Sequence, residues 1–233
     1  MSDPGFPARL ATVRERIARA AERSGRPAEA IRLVGASKTV PAGVLAAAVA
    51  AGLADLGENR VQEAEAKIPL VLPRPRWHLI GHLQSNKARR AVALFDSIQT
   101  VDSERLALAL DRLADETGRR GPLDVLVEVN VSGEAGKHGV PPEAAAALVA
   151  AIRAGCPRLA VRGLMTVGPL VERPDDARPA YRRLARLADA AGLPERSMGM
   201  SGDYEVAVEE GATMVRVGSA LFGVRPPAAT TRP

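Results

Sequence analysis

The feature that most constrains this chain is a repeated switch between two hydrophobic periods. Short apolar, β-branched runs alternate with stretches whose apolar residues recur every three or four positions. Leu10, Val13 and Ile17 mark an opening amphipathic helix that Gly25 and Pro27 end. The run 31–38 then reads as a strand and 41–52 as an alanine-rich helix. Further strand signals fall at 55–59, 77–82, 97–101, 124–131, 160–167, 197–201 and 214–218. Helical segments separate them at 60–67, from Ser85 onward, and at 103–117, 141–155 and 174–191. About eight strand–helix units in 233 residues suit an α/β fold of the (β/α)8 TIM-barrel type. The expectation is one such domain over 1–233, with flexible tails at 1–6 and 225–233. An open doubly wound sheet fits the same alternation.

Strand parity favours closure. If Lys38 points to the barrel interior, so do Ala36 and Val34, small residues suited to layered packing. By the same parity Arg216 shares a face with Met214, which leaves Val215 and Val217 toward the helices. His82 pairs in this way with Ile80, and Asn59 with Gly57. These polar residues sit at the carboxyl ends of their strands, where α/β folds bind ligands.

Lys38 is the first candidate for chemistry. A lysine closing an apolar strand is uncommon, because burying an unpaired ammonium is costly. A desolvated amine loses its proton more readily and then forms a Schiff base with a carbonyl carbon. A lysine that snorkels to water or makes an ion pair fits the position equally. Two late segments read as an anion cradle. Ser197-Met198-Gly199-Met200-Ser201-Gly202-Asp203 and Met214-Val215-Arg216-Val217-Gly218-Ser219-Ala220 each run from a strand into a helix. Small residues admit an anion to the backbone, and serine hydroxyls donate to it. Taken singly, each is also a plain β–α turn with a serine cap.

Composition narrows the function classes. The formal charge of +5 comes from arginines interspersed with Asp and Glu, without aromatic interleaving, so no nucleic-acid surface is expected. A single cysteine, Cys156, forms no intramolecular disulfide. No signal-like start or membrane-length apolar run is present, which together with the lone cysteine points to a cytoplasmic protein. The three histidines are dispersed and show no metal-ligand spacing, so no metal is expected.

An aldehyde-accepting lysine paired with a phosphate cradle suits pyridoxal 5′-phosphate. The matching stretches are Val34-Gly35-Ala36-Ser37-Lys38, Leu56-Gly57-Glu58-Asn59-Arg60-Val61-Gln62-Glu63 and Trp77-His78-Leu79-Ile80-Gly81-His82-Leu83-Gln84-Ser85-Asn86-Lys87. They continue through Val129-Asn130-Val131, Gly136-Lys137, Arg162-Gly163-Leu164-Met165, Ser197-Met198-Gly199-Met200-Ser201, Val215-Arg216-Val217-Gly218 and Leu221-Phe222-Gly223. In these the chain closely resembles the pyridoxal phosphate homeostasis proteins, small relatives of the bacterial alanine racemases. The resemblance implies a fold-type III barrel without the racemases' C-terminal β-domain. It implies a Schiff base between Lys38 and the cofactor, with Ser201, Gly218 and Ser219 around the phosphate and Met200 among the cofactor-binding residues. It also implies Arg216 facing the pyridine nitrogen and Asn59 near the ring. His82 is either a further cofactor contact or a histidine hydrogen-bonded within the barrel. Arg60 stands where the family commonly has an aromatic, and His138 where a small residue is frequent. Lys137 reads as a solvated loop lysine, with a second aldehyde or phosphate contact as the alternative.

The expected function is to buffer and deliver pyridoxal phosphate without substantial catalysis. Pyridoxal phosphate and other B6 vitamers are the expected ligands, and apo-enzymes that use the cofactor the expected recipients. The absence of a second domain removes both the opposing base of a two-base racemase and its dimer contact, so a monomer is expected. A bare-barrel racemase or decarboxylase is the alternative, and a Schiff-base aldolase a more distant one.

Overall fold

The structure is a computed structural model that describes residues 5–223. Eight parallel strands close into a barrel in sequence order. They are β1 (Arg32–Ala36), β2 (Asp55–Glu58), β3 (Arg76–Leu79), β4 (Ser97–Val101), β5 (Leu123–Glu128), β6 (Leu159–Met165), β7 (Glu195–Ser197) and β8 (Met214–Val217). The pairing of β1 with β8, Val34 opposite Arg216, closes the ring and rules out the open sheet. Around the barrel run α1 (Phe6–Arg23), α2 (Ala42–Ala50), α3 (Val61–Lys67), α4 (Ala88–Leu94), α5 (Glu104–Glu116), α6 (Ala145–Gly155), α7 (Arg178–Ala190), α8 (Tyr204–Glu209) and α9 (Ser219–Phe222).

The two periods explain why each element packs as it does. In α5 the Ser103 hydroxyl accepts from the Leu106 amide and caps the first turn, while Leu106, Leu110 and Leu113 bury one stripe. Each such leucine contributes about 1.5–3 kcal/mol relative to exposure, so one polar substitution there is felt throughout. Strand residues divide by parity. Leu56, Leu79, Val125, Val215 and Val217 join the core between barrel and helices. Val34, Ile80, Leu126, Met165 and Met214 are buried yet stand apart from that core, on the barrel axis. A Cβ on Gly57 would lie 2.8 Å from Ile80 Cδ1 and 3.0 Å from Val34 Cγ1, which fixes those three as interior neighbours.

Several boundaries differ from the sequence reading by a few residues, the strand expected over 77–82 ending at Leu79 and that over 124–131 at Glu128, and three more bear on the termini and the site. Phe6 begins α1 and is buried against the Phe222 ring, with centroids 5.5 Å apart, so the expected tail over 1–6 does not extend to it. Residues 1–4 and the expected tail over 225–233 lie outside the described residues. The strand expected over 31–38 ends at Ala36, because Thr39 takes φ 62° and turns the chain. The strand expected over 197–201 ends at Ser197, and the rest of that run is the turn into α8.

The arginine-rich surface is a lattice of ion pairs. Arg178 reaches Glu209 at 2.7 Å and Glu210 at 2.9 Å, and Arg182 also holds Glu210 at 2.9 Å. Pairs of this exposure are each worth up to about 1 kcal/mol, and they orient α7 on α8. Among the described residues, no helix is long and apolar enough to cross a membrane.

Candidate functional site

A cavity of about 660 Å³ opens at the carboxyl ends of β1, β7 and β8. The strand order accounts for this: β1 lies beside β8, and β8 beside β7, so segments far apart in sequence meet at one mouth. Six of the eight residues singled out by sequence line it: Lys38, Met200, Ser201, Arg216, Gly218 and Ser219. Asn59 and His82 are not part of that lining. The His82 ring instead stacks on His138, with centroids 3.8 Å apart.

Arg216 forms the floor and is buried to 4% exposure. Its Nη1 donates to Ser197 Oγ at 2.7 Å and its Nη2 to the Thr166 carbonyl at 2.8 Å. The Ser197 hydroxyl donates to Gln99 Oε1 at 2.6 Å, and Gln99 Nε2 donates to His78 Nδ1 at 3.1 Å. That leaves His78 Nε2 to donate to Asp55 Oδ1 at 2.8 Å. Every bond in this relay runs the same way, from guanidinium to carboxylate, down the barrel interior. Such chains polarise cooperatively in a low-dielectric interior. Burial pushes the Arg216 guanidinium below its ordinary range, while the charges of Tyr181, Glu128 and Asp203 pull it back.

Lys38 is mounted differently. It lies two residues past β1 and is exposed in the cavity wall, so the desolvation that first singled it out is not present. Its neighbours are held firmly. The Ser37 amide donates to the Gly57 carbonyl at 2.9 Å, and the Ser37 hydroxyl lies 2.8 Å from Glu58 Oε1. Lys67 Nζ donates to that same carboxylate oxygen at 2.7 Å and to the Ser37 carbonyl at 2.9 Å. Glu63 Oε2 accepts from the Thr39 amide at 2.9 Å, which supports the left-handed turn of a β-branched residue. Burial raises the Glu58 carboxyl above its usual range, opposed by Lys67 and Ser37. Sequence reasoning passed over Glu58, Glu63 and Lys67. The signal available was an acid at a strand terminus followed by a Glu–Lys pair four apart on the next helix.

The β7 and β8 side of the mouth, next to β1, is a donor cradle. Ser201 Oγ accepts from the Gly218 amide at 3.0 Å and the Ala220 amide at 3.4 Å, so its own proton is left to donate. The turn that presents it is tied by Asp203, which accepts from the Met200 amide and from the Tyr181 hydroxyl, both at 2.7 Å. Gly199 is required in that turn: its φ is 92°, and a Cβ there would lie 2.5 Å from Ala207 Cβ. An amine, anion donors and a buried guanidinium lining one cavity form a donor set that fits an aldehyde bearing a phosphate.

Two further groups lie away from this lining. Glu128 ends β5 at 5% exposure, and burial, followed by repulsion from Asp102, pushes its carboxyl up to about 7 against the pull of Arg216. Lys137 is paired, with Glu134 Oε1 at 2.7 Å and the Gly168 carbonyl at 3.0 Å.

Comparison with known proteins agrees with this geometry. The alanine racemase N-terminal domain family matches residues 9–226. The pyridoxal phosphate homeostasis protein of Aquifex aeolicus is 43% identical over 224 residues, 93% of this chain and 97% of that protein. PipY of Synechococcus elongatus, solved without pyridoxal phosphate, superimposes with a TM-score of 0.82 at 38% identity, covering 94% of this chain and all of that one. Its form with pyridoxal phosphate bound superimposes with a TM-score of 0.79 at 37% identity and the same coverage. A closed single barrel, a mouth lined by an amine and an anion cradle, and identity of this extent lead to one assignment: the chain belongs to the pyridoxal phosphate homeostasis protein family.

Proposed function

We propose that this chain binds pyridoxal 5′-phosphate at the barrel mouth, buffers it and delivers it to apo-enzymes, without substantial turnover of amino acids. The observation that carries this reading is that Lys38, the Ser201–Gly218 cradle and Arg216 line one cavity. The relative PipY, whose structure has been solved with pyridoxal phosphate bound, supports it.

Bound pyridoxal phosphate supplies an aldehyde for a reversible Schiff base and an electron-withdrawing ring. Lys38 would be the amine that holds the aldehyde, and a bond of that kind, formed with loss of water and undone by water or a competing amine, would suit storage and release. Ser201, whose Oγ accepts from the Gly218 and Ala220 amides, would hold the phosphate through its own hydroxyl proton. Arg216 would hold the ring nitrogen. A guanidinium only donates, so the nitrogen must accept and stays unprotonated, which weakens the ring as an electron sink. Beyond Lys38 and Arg216, the described lining side chains are Ala, Val, Pro, Met, Phe, Ser and Thr, with Gly. A lining of that kind offers no second acid–base partner for racemisation. Other B6 vitamers that keep the aldehyde but lack the phosphate use only half of the site.

Borohydride reduction followed by peptide mass mapping tests the assignment. The pyridoxyl label is expected on Lys38, and recovery only on Lys137 or Lys87 overturns it. Gly218→Val is expected to weaken pyridoxal phosphate much more than pyridoxal; equal losses remove the cradle from the phosphate. Alanine in heavy water should show negligible α-proton exchange. Rapid exchange that depends on Lys38 would replace the carrier reading with a racemase.

A further inference from the structure

We propose that His82, Asp102 and His138 form a binding site for a divalent transition-metal ion of the zinc class, on the barrel rim across from the Lys38 cavity. His82 lies in the loop after β3, Asp102 directly follows β4, and His138 lies in the loop between β5 and α6. Sequence spacing hides the convergence, because three separate strand–helix loops each supply one residue. In space, one ligand atom from each residue lies within 4.8 Å of the other two.

The geometry points to a shared ion. His82 Nδ1 and Asp102 Oδ2 are 3.5 Å apart, too long for a good direct hydrogen bond. Two ligands on one tetrahedral zinc, with bonds near 2.0–2.1 Å, stand about 3.3 Å apart. That pair therefore already has the spacing of two ligands on one ion. The His82 and His138 rings stack with 9° between planes, and because their lone pairs lie in the ring planes, one ring must turn out of the stack for both nitrogens to aim at one ion. Ser103 Oγ lies 3.3 Å from Asp102 Oδ1, an outer contact that leaves Oδ2 free to face the ion.

The ligand chemistry selects the class. Two imidazoles and one carboxylate suit Zn²⁺, Co²⁺, Ni²⁺ or Cu²⁺, whereas Mg²⁺ and Ca²⁺ prefer all-oxygen shells. Three protein ligands leave a fourth position for water or an incoming group, the pattern of an open site. Competing sites of the same chemistry are scarce. The chain has three histidines and one cysteine. The third histidine, His78, is fully buried with both nitrogens engaged, and Cys156 is buried. A bound ion would join the β5–α6 loop, where Gly133, Gly136 and Gly139 all take positive φ, to the ends of β3 and β4.

Calorimetric titration of the purified full chain with Zn²⁺ tests this, with Co²⁺ as a spectroscopic probe. One ion per chain is expected, and Co²⁺ should develop the visible bands of a four-coordinate site. His138→Ala and Asp102→Asn should each weaken Zn²⁺ by more than about tenfold, with circular dichroism unchanged. In the unaltered protein, Co²⁺ should broaden the ring-proton resonances of His82 and His138 and spare those of His78. Zn²⁺ affinity equal in the wild type and in a His82→Ala, His138→Ala double variant overturns the site. So does Co²⁺ broadening that leaves both rim histidines sharp.

Discussion

Lys38 and Arg216 line one cavity, and the fold secures them in opposite ways. Arg216 sits within β8 at 4% exposure, with its head group bonded into a relay that crosses the barrel to Asp55. Lys38 is exposed on the turn after β1, where Ser37 and Thr39 are anchored on either side of it by Glu58, Glu63 and Lys67. The difference matches the roles proposed for them. A group that forms and breaks a covalent bond needs an anchored backbone and a side chain with reach. A group that sets the charge state of a ring needs a fixed head, and a buried chain of one-way hydrogen bonds supplies it.

Cutting the relay should produce the largest effect. Gln99 is fully buried and contacts both Ser197 and His78. Gln99→Leu keeps the volume but leaves the Ser197 hydroxyl and His78 Nδ1 without their partner, at a cost of about 2–4 kcal/mol. Urea unfolding reads that loss directly. A change under about 1 kcal/mol would mean that Arg216 is held by the Thr166 carbonyl and packing, and that the relay is incidental.

A pH effect should separate the barrel interior around Arg216, whose charge acts on the buried Glu128, from the exposed turn of Lys38. Burial raises the Glu128 carboxyl from an ordinary 4.5 to about 7. Between those values the folded chain holds a proton that the unfolded chain has released, so stability falls as pH rises through that window. The full span amounts to at most about 3 kcal/mol. Glu128→Gln should flatten the profile, measured by thermal unfolding with a chelator present. A wild-type profile that is level from pH 4.5 to 7, or that rises, would show the carboxyl ionised in the folded state.

How far the sequence revealed this arrangement follows from the same contrast. Arg216 was legible because a period-two strand places it opposite Val215 and Val217, and the structure keeps that parity. The turn residues Ser201, Gly218 and Ser219 were legible as small residues between a strand and a helix. The relay was not. Its members pair across 19, 98, 21 and 23 positions, and a polar residue pointing into a barrel has no local signature. Lys38 was found, but for a reason that does not hold: it is exposed, and what distinguishes it is the anchoring of its neighbours. The approach of His82 to His138 was hidden for the same reason as the relay, since each comes from a different strand–helix unit.

Glu58→Gln tests the anchoring of Lys38 and should have the smallest effect on stability. Glu58 Oε1 accepts from Lys67 at 2.7 Å, while Oε2 is buried without a partner among the described residues. Its ion pair is thus half-satisfied, and desolvation already offsets much of the attraction. The glutamine keeps the shape and removes a buried charge, so the net change should be within about 1 kcal/mol. Lys67 keeps the Ser37 carbonyl at 2.9 Å and Glu63 at 3.3 Å, which limits the rearrangement. What should change is reactivity: with Ser37 and Lys67 less firmly tied, the rate at which pyridoxal phosphate condenses with Lys38 should fall a few-fold, read by stopped-flow absorbance. The equivalent measurement on Gln99→Leu, under conditions where both variants are folded, should show a smaller change in that rate. If the order is reversed, the lysine depends on the barrel interior and not on its own loop, and the contrast between the two cations fails.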